Sequence, residues 1–296
     1  MVNVNIDGIK VSAPDNATIL QAAELAGVKV PTLCYHPDQA IKANCRVCVC
    51  EVEGLPLLQA ACSTPIRDGM VIRTNTPAVI EARRTILQLI LAHHPQDCLN
   101  CIRNKNCELQ ALAEEYAIRE NPFELMVRGL PQDTSTPSIV RDPDKCILCR
   151  RCEYACSEFQ SVNALGLENR GNHAMIVPSL GKDLLESPCV MCGQCIHACP
   201  VGAIHENEEI DKFLAAVADP DKIVVTQMAP AVRVAIGEEV GMQTGDMDMN
   251  VLVTALRQIG FDYILHSNFT ADLTILEEGN ELLKRVKEGG KLPMFT

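Results

Sequence analysis

The sequence predicts an α+β chain of several consecutive modules, and three observations carry that expectation. Apolar residues alternate at the N-terminus around an Asp7-Gly8 turn. Sixteen cysteines fall into runs with metal-ligand spacing. Beyond about residue 210 the cysteines cease, and short apolar strands alternate with helical periods. The expected boundaries are 1–76, 77–137, 138–209 and 210–296. A length of 296 residues allows two or more cores. Aromatics make up only 3% and tryptophan is absent, so something other than large rings is expected to fill part of the interior.

A formal charge of −12 argues against nucleic acid and anionic membrane surfaces as partners. Residues 1–10 lack the basic and apolar regions of a signal peptide. No apolar run approaches the roughly 20 residues of a spanning helix. A cytoplasmic chain is expected, in which cysteines stay reduced and serve as ligands.

In the first module Val2, Val4 and Ile6 precede Asp7-Gly8, and Ile9 and Val11 follow, the pattern of a β-hairpin. Residues 18–26 read as a helix with Thr18 as N-cap and Gly27 as its stop. A loop then carries Cys34, Cys45 and Cys48, with Cys62 later, as C-x10-C-x2-C-x13-C. Strand pair, helix and cysteine loop outline a β-grasp ferredoxin domain holding a 2Fe-2S cluster. Cys45 and Cys48, two residues apart, are expected to share one iron and the distant pair to hold the other. The long first gap resembles the N-terminal domain of hydrogenases and of the large relay subunit of respiratory complex I. Cys50 is left over and reads as a small buried hydrophobe.

The second module opens at Pro77 with an apolar helix that stops at His93-His94-Pro95. Cys98, Cys101 and Cys107 follow directly, giving H-x3-C-x2-C-x5-C with His94 first. This set suits a 4Fe-4S cluster in which neutral imidazole replaces one thiolate, a change that raises the reduction potential. A Cys3His zinc site fits the ligand count equally well; the neighbouring motifs favour iron and sulfide.

The third module is a duplication. Cys146, Cys149, Cys152 and Cys156 form one C-x2-C-x2-C-x3-C run, and Cys189, Cys192, Cys195 and Cys199, followed by Pro200, form the other. In a bacterial-type two-cluster ferredoxin the fourth cysteine of each run crosses to the other cluster. The expected 4Fe-4S sets are Cys146, Cys149, Cys152, Cys199 and Cys189, Cys192, Cys195, Cys156. Ser157 stands where a proline would follow the first run. Fifteen cysteines and one histidine thus supply sixteen ligands for one 2Fe-2S and three 4Fe-4S clusters.

The last module reads as α/β, with helices near 211–217, 250–259 and 272–287 and strands near 223–228 and 263–265. So few strands leave apolar edges uncovered, as in an unfinished domain. Its phrases Gln227-Met228-Ala229-Pro230-Ala231-Val232-Arg233, Ala255-Leu256-Arg257-Gln258-Ile259-Gly260-Phe261 and Pro293-Met294-Phe295-Thr296 resemble the start of the catalytic domain of FeFe-hydrogenases. The resemblance extends to the order of all the cluster modules. It implies that Ala229 and Pro230 line the H-cluster pocket and that Glu278 and Glu281 belong to the proton route. It also implies that the H-cluster cysteines begin just past Thr296, so the chain as given is not catalytic alone.

The expected function is electron relay in an FeFe-hydrogenase, an oxidoreductase for reversible hydrogen oxidation, linked to an NAD(P)H/flavin subunit, further iron–sulfur subunits or ferredoxin. A hetero-oligomeric and electron-bifurcating complex is among the forms the resemblance implies. Neither G-x-G-x-x-G nor a P-loop occurs, so nicotinamide would bind a partner. Two other readings are a relay subunit of another oxidoreductase, such as a formate dehydrogenase, and a cluster assembly or sensor protein.

Overall fold

A computed structural model describes residues 1–295; Thr296, the last residue of the 293–296 phrase, lies outside the described residues. The chain divides into two compact units, Met1–Asn207 and Glu208–Thr296. Among the described residues no helix is long and apolar enough to cross a membrane. The architecture is mixed α and β throughout.

The first unit starts with β1 (Val2–Ile6) and β2 (Ile9–Ala13), paired antiparallel with Val4 opposite Val11. Asp7 and Gly8 both take positive φ, 48° and 88°, as a two-residue turn matched to strand twist requires. α1 (Ile19–Leu25) begins with a reciprocal cap. The Thr18 hydroxyl accepts from the Gln21 backbone N–H, and the Gln21 side chain accepts from the Thr18 N–H at 2.9 Å. β3 (Val49–Val52), β4 (Gln59–Ala60) and β5 (Val71–Arg73) extend the hairpin into a five-stranded sheet of order β2-β1-β5-β3-β4, with β1 and β5 parallel. Ile6, Ile19, Ala22 and Ile72 form its core, and Cys48, Cys50 and Cys62 belong to the same core.

α2 (Pro77–Ala92) starts on a Thr76 cap with proline at its first position and ends at His93, immediately before His94. Its buried Arg83 donates to the Val49 carbonyl (2.8 Å) and the Tyr116 hydroxyl (3.0 Å), tying α2 to β3 and to the end of α3 (Glu108–Glu115). The duplicated segment is closed by β6 (Ile139–Arg141), which pairs antiparallel with β9 (Ile204–Glu206). α4 (Arg151–Tyr154), running into a π-turn at Ala155–Phe159, carries the end of the first run, and α5 (Gln194–Ala198) that of the second. The residues between the runs form a hairpin of β7 (Leu165–Glu168) and β8 (Met175–Pro178).

The second unit holds α6 (Ile210–Ala218), β10 (Val225–Gln227), α7 (Pro230–Glu239), α8 (Met249–Ile259), β11 (Tyr263–Leu265) and α9 (Ser267–Glu288). β10 and β11 pair in parallel, and Phe213 stacks on Phe261 at 4.7 Å. α9 begins five residues before the expected 272, because the His266 side chain caps it by accepting from the Asn268 N–H. α7 adds a helix that the apolar pattern alone does not reveal. Val225, Tyr263 and Leu265 on the two strands are exposed.

Removing the α1 cap should loosen that helix without unfolding the sheet. Thr18→Ala is expected to cost about 1 kcal/mol locally, seen as roughly fivefold faster hydrogen exchange at the first amides of α1; unchanged exchange there would show the cap to be idle.

Candidate metal centres

The loop after α1 brings the first cysteine set into the wall of the sheet core. The Cys45 backbone N–H donates to Cys34 Sγ at 3.5 Å, and the Cys45 thiol holds Cys34 down to about 6. In the same way the Cys62 thiol holds Cys48 down to about 7. The Cys34 and Cys45 thiols thus lie side by side, as do those of Cys48 and Cys62. Ala43 and Arg46, on either side of Cys45, both take positive φ (52° and 61°). Cys50 lies on β3, fully buried, with its thiol on the Gln59 carbonyl at 3.5 Å and its acidity suppressed by burial to about 12. It has the surroundings of a structural hydrophobe.

His94, Cys98, Cys101 and Cys107 line a single small cavity, together with Lys145 and Gly202. His94 is buried and His93 exposed, so the two adjacent histidines part ways at the end of α2. Burial keeps the His94 imidazole neutral, the form that ligates metal. Its Nδ1 is buried with no hydrogen-bond partner, a deficit of about 1–3 kcal/mol that a protein leaves only where something else satisfies the ring. Gly202 contributes closeness. A Cβ at that position would stand 2.8 Å from Cys101 Sγ.

Cys146, Cys149, Cys152 and Cys199 line one cavity, bringing the fourth cysteine of the second run to the first three of the first. The reciprocal set also gathers: Cys189, Cys192 and Cys156 all lie close enough to Cys195 to oppose its ionisation. The two runs wind alike. Leu148 and Arg150 (φ 55° and 64°) occupy the same places in the first run as Met191 and Gly193 (φ 54° and 77°) in the second. Three of the four are not glycine, a strain that persists where the surroundings demand it. The winding turns amides inward: Met191 N–H donates to Cys189 Sγ at 3.3 Å. Ala164, at the start of the inter-run hairpin, donates to Cys156 Sγ at 3.2 Å.

The sets are joined by shared apolar walls. Cys45, Cys107, Cys146 and Cys199, drawn from three different sets, pack on one core of Leu33, Val47, Leu87, Leu109 and Val201. Cys146, Cys152 and Cys199 also pack on a second core, of Ile139, Leu165 and Ile196, whose remaining cysteines are Cys156, Cys189 and Cys195. Cys45 and Cys146 also line one cavity of about 380 Å³, together with Ile86, Ile90 and Ile147. Among the described residues no three His, Cys, Asp or Glu side chains close on a point as they would around a single metal ion. The fit to a multinuclear group rests on the thiol and imidazole donors, the cavities they line and the unpartnered His94 nitrogen.

In the second unit Ala229 caps α7 and Pro230 is its first residue; both line a small cleft with Met228, Arg233, His266 and Asn268. Glu278 and Glu281 lie one turn apart on α9. Glu278 is partly exposed, and Glu281 is exposed and accepts from Arg285 Nε at 3.0 Å. The structure brings Ala229 and Pro230 together but does not join them to the two glutamates in one cavity.

Four family models match in succession. They are a 2Fe-2S iron-sulfur cluster binding domain over residues 1–77 and an iron-sulfur binding region of the NADH-ubiquinone oxidoreductase G type over 83–122. The ferredoxin-like domain of NADH-quinone oxidoreductase subunit 3 follows over 136–205, and the C-terminal domain of the iron only hydrogenase large subunit over 222–296. The chain is 44% identical over its full length to the NADP-reducing hydrogenase subunit HndD of Solidesulfovibrio fructosivorans, covering 52% of that protein. It is 37% identical, also over its full length, to iron hydrogenase 1 of Clostridium pasteurianum, covering 52% of it. The chain is homologous to the iron hydrogenases from end to end. This iron-hydrogenase homologue spans about half the length of those two relatives. A NAD+-reducing [NiFe]-hydrogenase structure shares 28% identity with a TM-score of 0.66, over 70% of this chain and 87% of that one.

Two substitutions separate ligand from scaffold. Gly202→Ala is expected to displace Cys101 and deplete iron from the His94 set alone, whereas Cys50→Ala should leave all iron and sulfide bound. Iron and acid-labile sulfide analysis with EPR of the reduced protein reads both, and full retention in Gly202→Ala would dismiss the close approach as inconsequential.

Proposed function

We propose that residues 1–207 hold one 2Fe-2S and three 4Fe-4S clusters and form the electron relay of an FeFe-hydrogenase, to whose hydrogen-handling domain residues 208–296 belong. The ligand sets are Cys34, Cys45, Cys48, Cys62; His94, Cys98, Cys101, Cys107; Cys146, Cys149, Cys152, Cys199; and Cys189, Cys192, Cys195, Cys156. On this reading the first module is a β-grasp ferredoxin domain, the second a small helical module and the third a bacterial-type ferredoxin domain. The observation that carries it is the shared apolar core on which Cys45, Cys107, Cys146 and Cys199 all pack.

Bound clusters supply one-electron chemistry with little ligand rearrangement. The residues do the rest. Leu33, Val47, Leu87 and Val201, all buried, form the apolar wall that three sets share. The first set and the His94 set both abut the Cys146 set, and the second core joins that set to the Cys189 set. The relay is thus branched, with two entry points meeting at Cys146 and Cys199. In the second unit Ala229 and Pro230 shape a pocket edge, and Glu278 and Glu281 offer carboxylates for proton transfer along one face of α9. The match over residues 222–296 favours a hydrogenase over a relay subunit of a formate dehydrogenase.

The partners consistent with this reading are an NAD(P)H/flavin subunit, further iron–sulfur subunits or ferredoxin in a cytoplasmic hetero-oligomer, with electron bifurcation as one mode of use. The chain spans about half the length of those two relatives, and on this reading the H-cluster ligands are residues other than these 296.

Anaerobically prepared protein should contain about 14 irons per chain, two from one 2Fe-2S and twelve from three 4Fe-4S clusters. Zinc in place of iron and sulfide would overturn the proposal. His94→Cys should keep its cluster and lower that cluster's potential, since a thiolate adds negative charge where imidazole added none; a redox titration with no displaced signal would remove His94 from the ligand set.

A further inference from the structure

Arg151 lies between Cys149 and Cys152 in the first run. It is buried, at 6% exposure. Its two terminal nitrogens donate to the two oxygens of Glu108, at 2.6 and 2.9 Å, a planar bidentate pair. Glu108 directly follows Cys107 of the His94 set, and its own backbone N–H donates to the Pro200 carbonyl, next to Cys199, at 2.9 Å. The Arg151 carbonyl accepts from the side chain of Gln39 at 3.1 Å, a buried bond that reaches from the loop between Cys34 and Cys45. One residue therefore touches segments adjoining three ligand sets.

The remaining guanidinium donor, Nε–H, is buried with no acceptor in the protein. A charged donor left so costs at least the desolvation of a neutral one. The Arg151 charge lies near enough to the Cys149 thiol to favour its ionised form, and the Cys146 set offers the acceptor class the protein lacks: sulfur. The second run offers a contrast inside the same molecule. Cys149-Arg150-Arg151-Cys152 corresponds to Cys192-Gly193-Gln194-Cys195, so the duplication carries a neutral glutamine where the branch-point set carries Arg151.

We propose that Arg151 is a positioning and tuning residue of the relay's branch point. Its side chain, paired with Glu108, and its backbone carbonyl, held by Gln39, together tie three ligand sets to one another, and its unpartnered Nε–H would donate to a sulfur of the cluster held by Cys146, Cys149, Cys152 and Cys199, raising that cluster's potential. Glu108 opposes the charge of Arg151 and holds the guanidinium in place. The proposal rests on the relay reading and assigns a control element within it. Hydrogen bonds and positive charge near cluster sulfurs favour the reduced, more negative state.

The test uses the full chain, reconstituted anaerobically with iron and sulfide, and follows each cluster by EPR through a redox titration. Arg151→Gln gives the first run the residue its duplicate already carries. It should lower the potential of the Cys146 cluster, reducing its reduced-to-oxidised ratio at fixed potential about tenfold, equivalent to about 59 mV for one electron. Glu108→Gln removes the opposing charge while keeping an acceptor for the guanidinium, and should shift the same cluster upward. Arg151→Lys keeps the charge but loses Nε–H and the planar fork, and should fall between wild type and Arg151→Gln. Opposite displacements from the two halves of one ion pair are not produced by general loosening of the fold. Displacement of both in the same direction, or of neither, overturns the proposal. Should Arg151→Gln shed its cluster, Glu108→Gln and Arg151→Lys decide the matter by the same signs. Wild-type protein devoid of iron and sulfide would instead overturn the relay reading beneath it.

Discussion

Thiolates cannot be gathered in an apolar wall unless a cation gathers them. Burial first, and neighbouring thiols after it, push the Cys149 and Cys195 thiols up to about 12. Cys152, fully enclosed, is driven well upward by the same burial and by Cys149 and Cys146 beside it. Ligation by metal reverses the sign, because an adjacent cation stabilises the deprotonated sulfur and the binding energy becomes folding energy. The scarcity of aromatic residues follows naturally: the interior of residues 1–207 is built from Leu, Ile and Val around sulfur sites. Cys50 marks the contrast. Its burial is as complete, but its thiol donates to a strand carbonyl.

Much of this was legible in one dimension because cluster ligation is written in short spacings. C-x2-C runs keep sulfurs near one another across two intervening residues, so the crossed sets around Cys146 and Cys189 could be named from the ferredoxin-type motif, and the structure gathers those same residues. The N-terminal hairpin was legible for the same local reason, since Asp7-Gly8 fixes its own turn. What depends on long-range geometry was not. β3, β4 and β5 are two to four residues each, too short to show alternation, and their order comes from pairing with β1. The nearness of the Cys34 and Cys45 thiols, and the positive φ of Ala43 and Arg46 beside them, are not encoded in spacing. α7 was hidden because its residues carry no clear helical stripe, and it buries only Gly237.

The junction around Arg151 belongs to this second class. Gln39 and Arg151 stand 112 residues apart, and Glu108 is 43 from Arg151. No pattern in the chain announces that they meet. A buried arginine, a half-exposed glutamate and a glutamine would each read as ordinary surface polarity, and only their convergence beside Cys107, Cys149 and Cys199 gives them meaning.

Apolar cores hold modules together without fixing them in register, because the attraction is non-directional and varies little with a small slide. An electron relay needs fixed separations between its sites, so slippage at a module boundary bears directly on function. Directional bonds remove that freedom. Gln39 to the Arg151 carbonyl, Arg151 to Glu108, the Glu108 amide to Pro200 and Arg103 to the Ile196 carbonyl at 3.1 Å all cross between segments that carry different ligand sets. Gly202 then permits an approach to Cys101 that any side chain would forbid. Displacing one module would strain several of these bonds together, and each ends within a few residues of a ligand. The polar junction thus does what the cores cannot: it converts three modules in contact into one rigid spacing of sites.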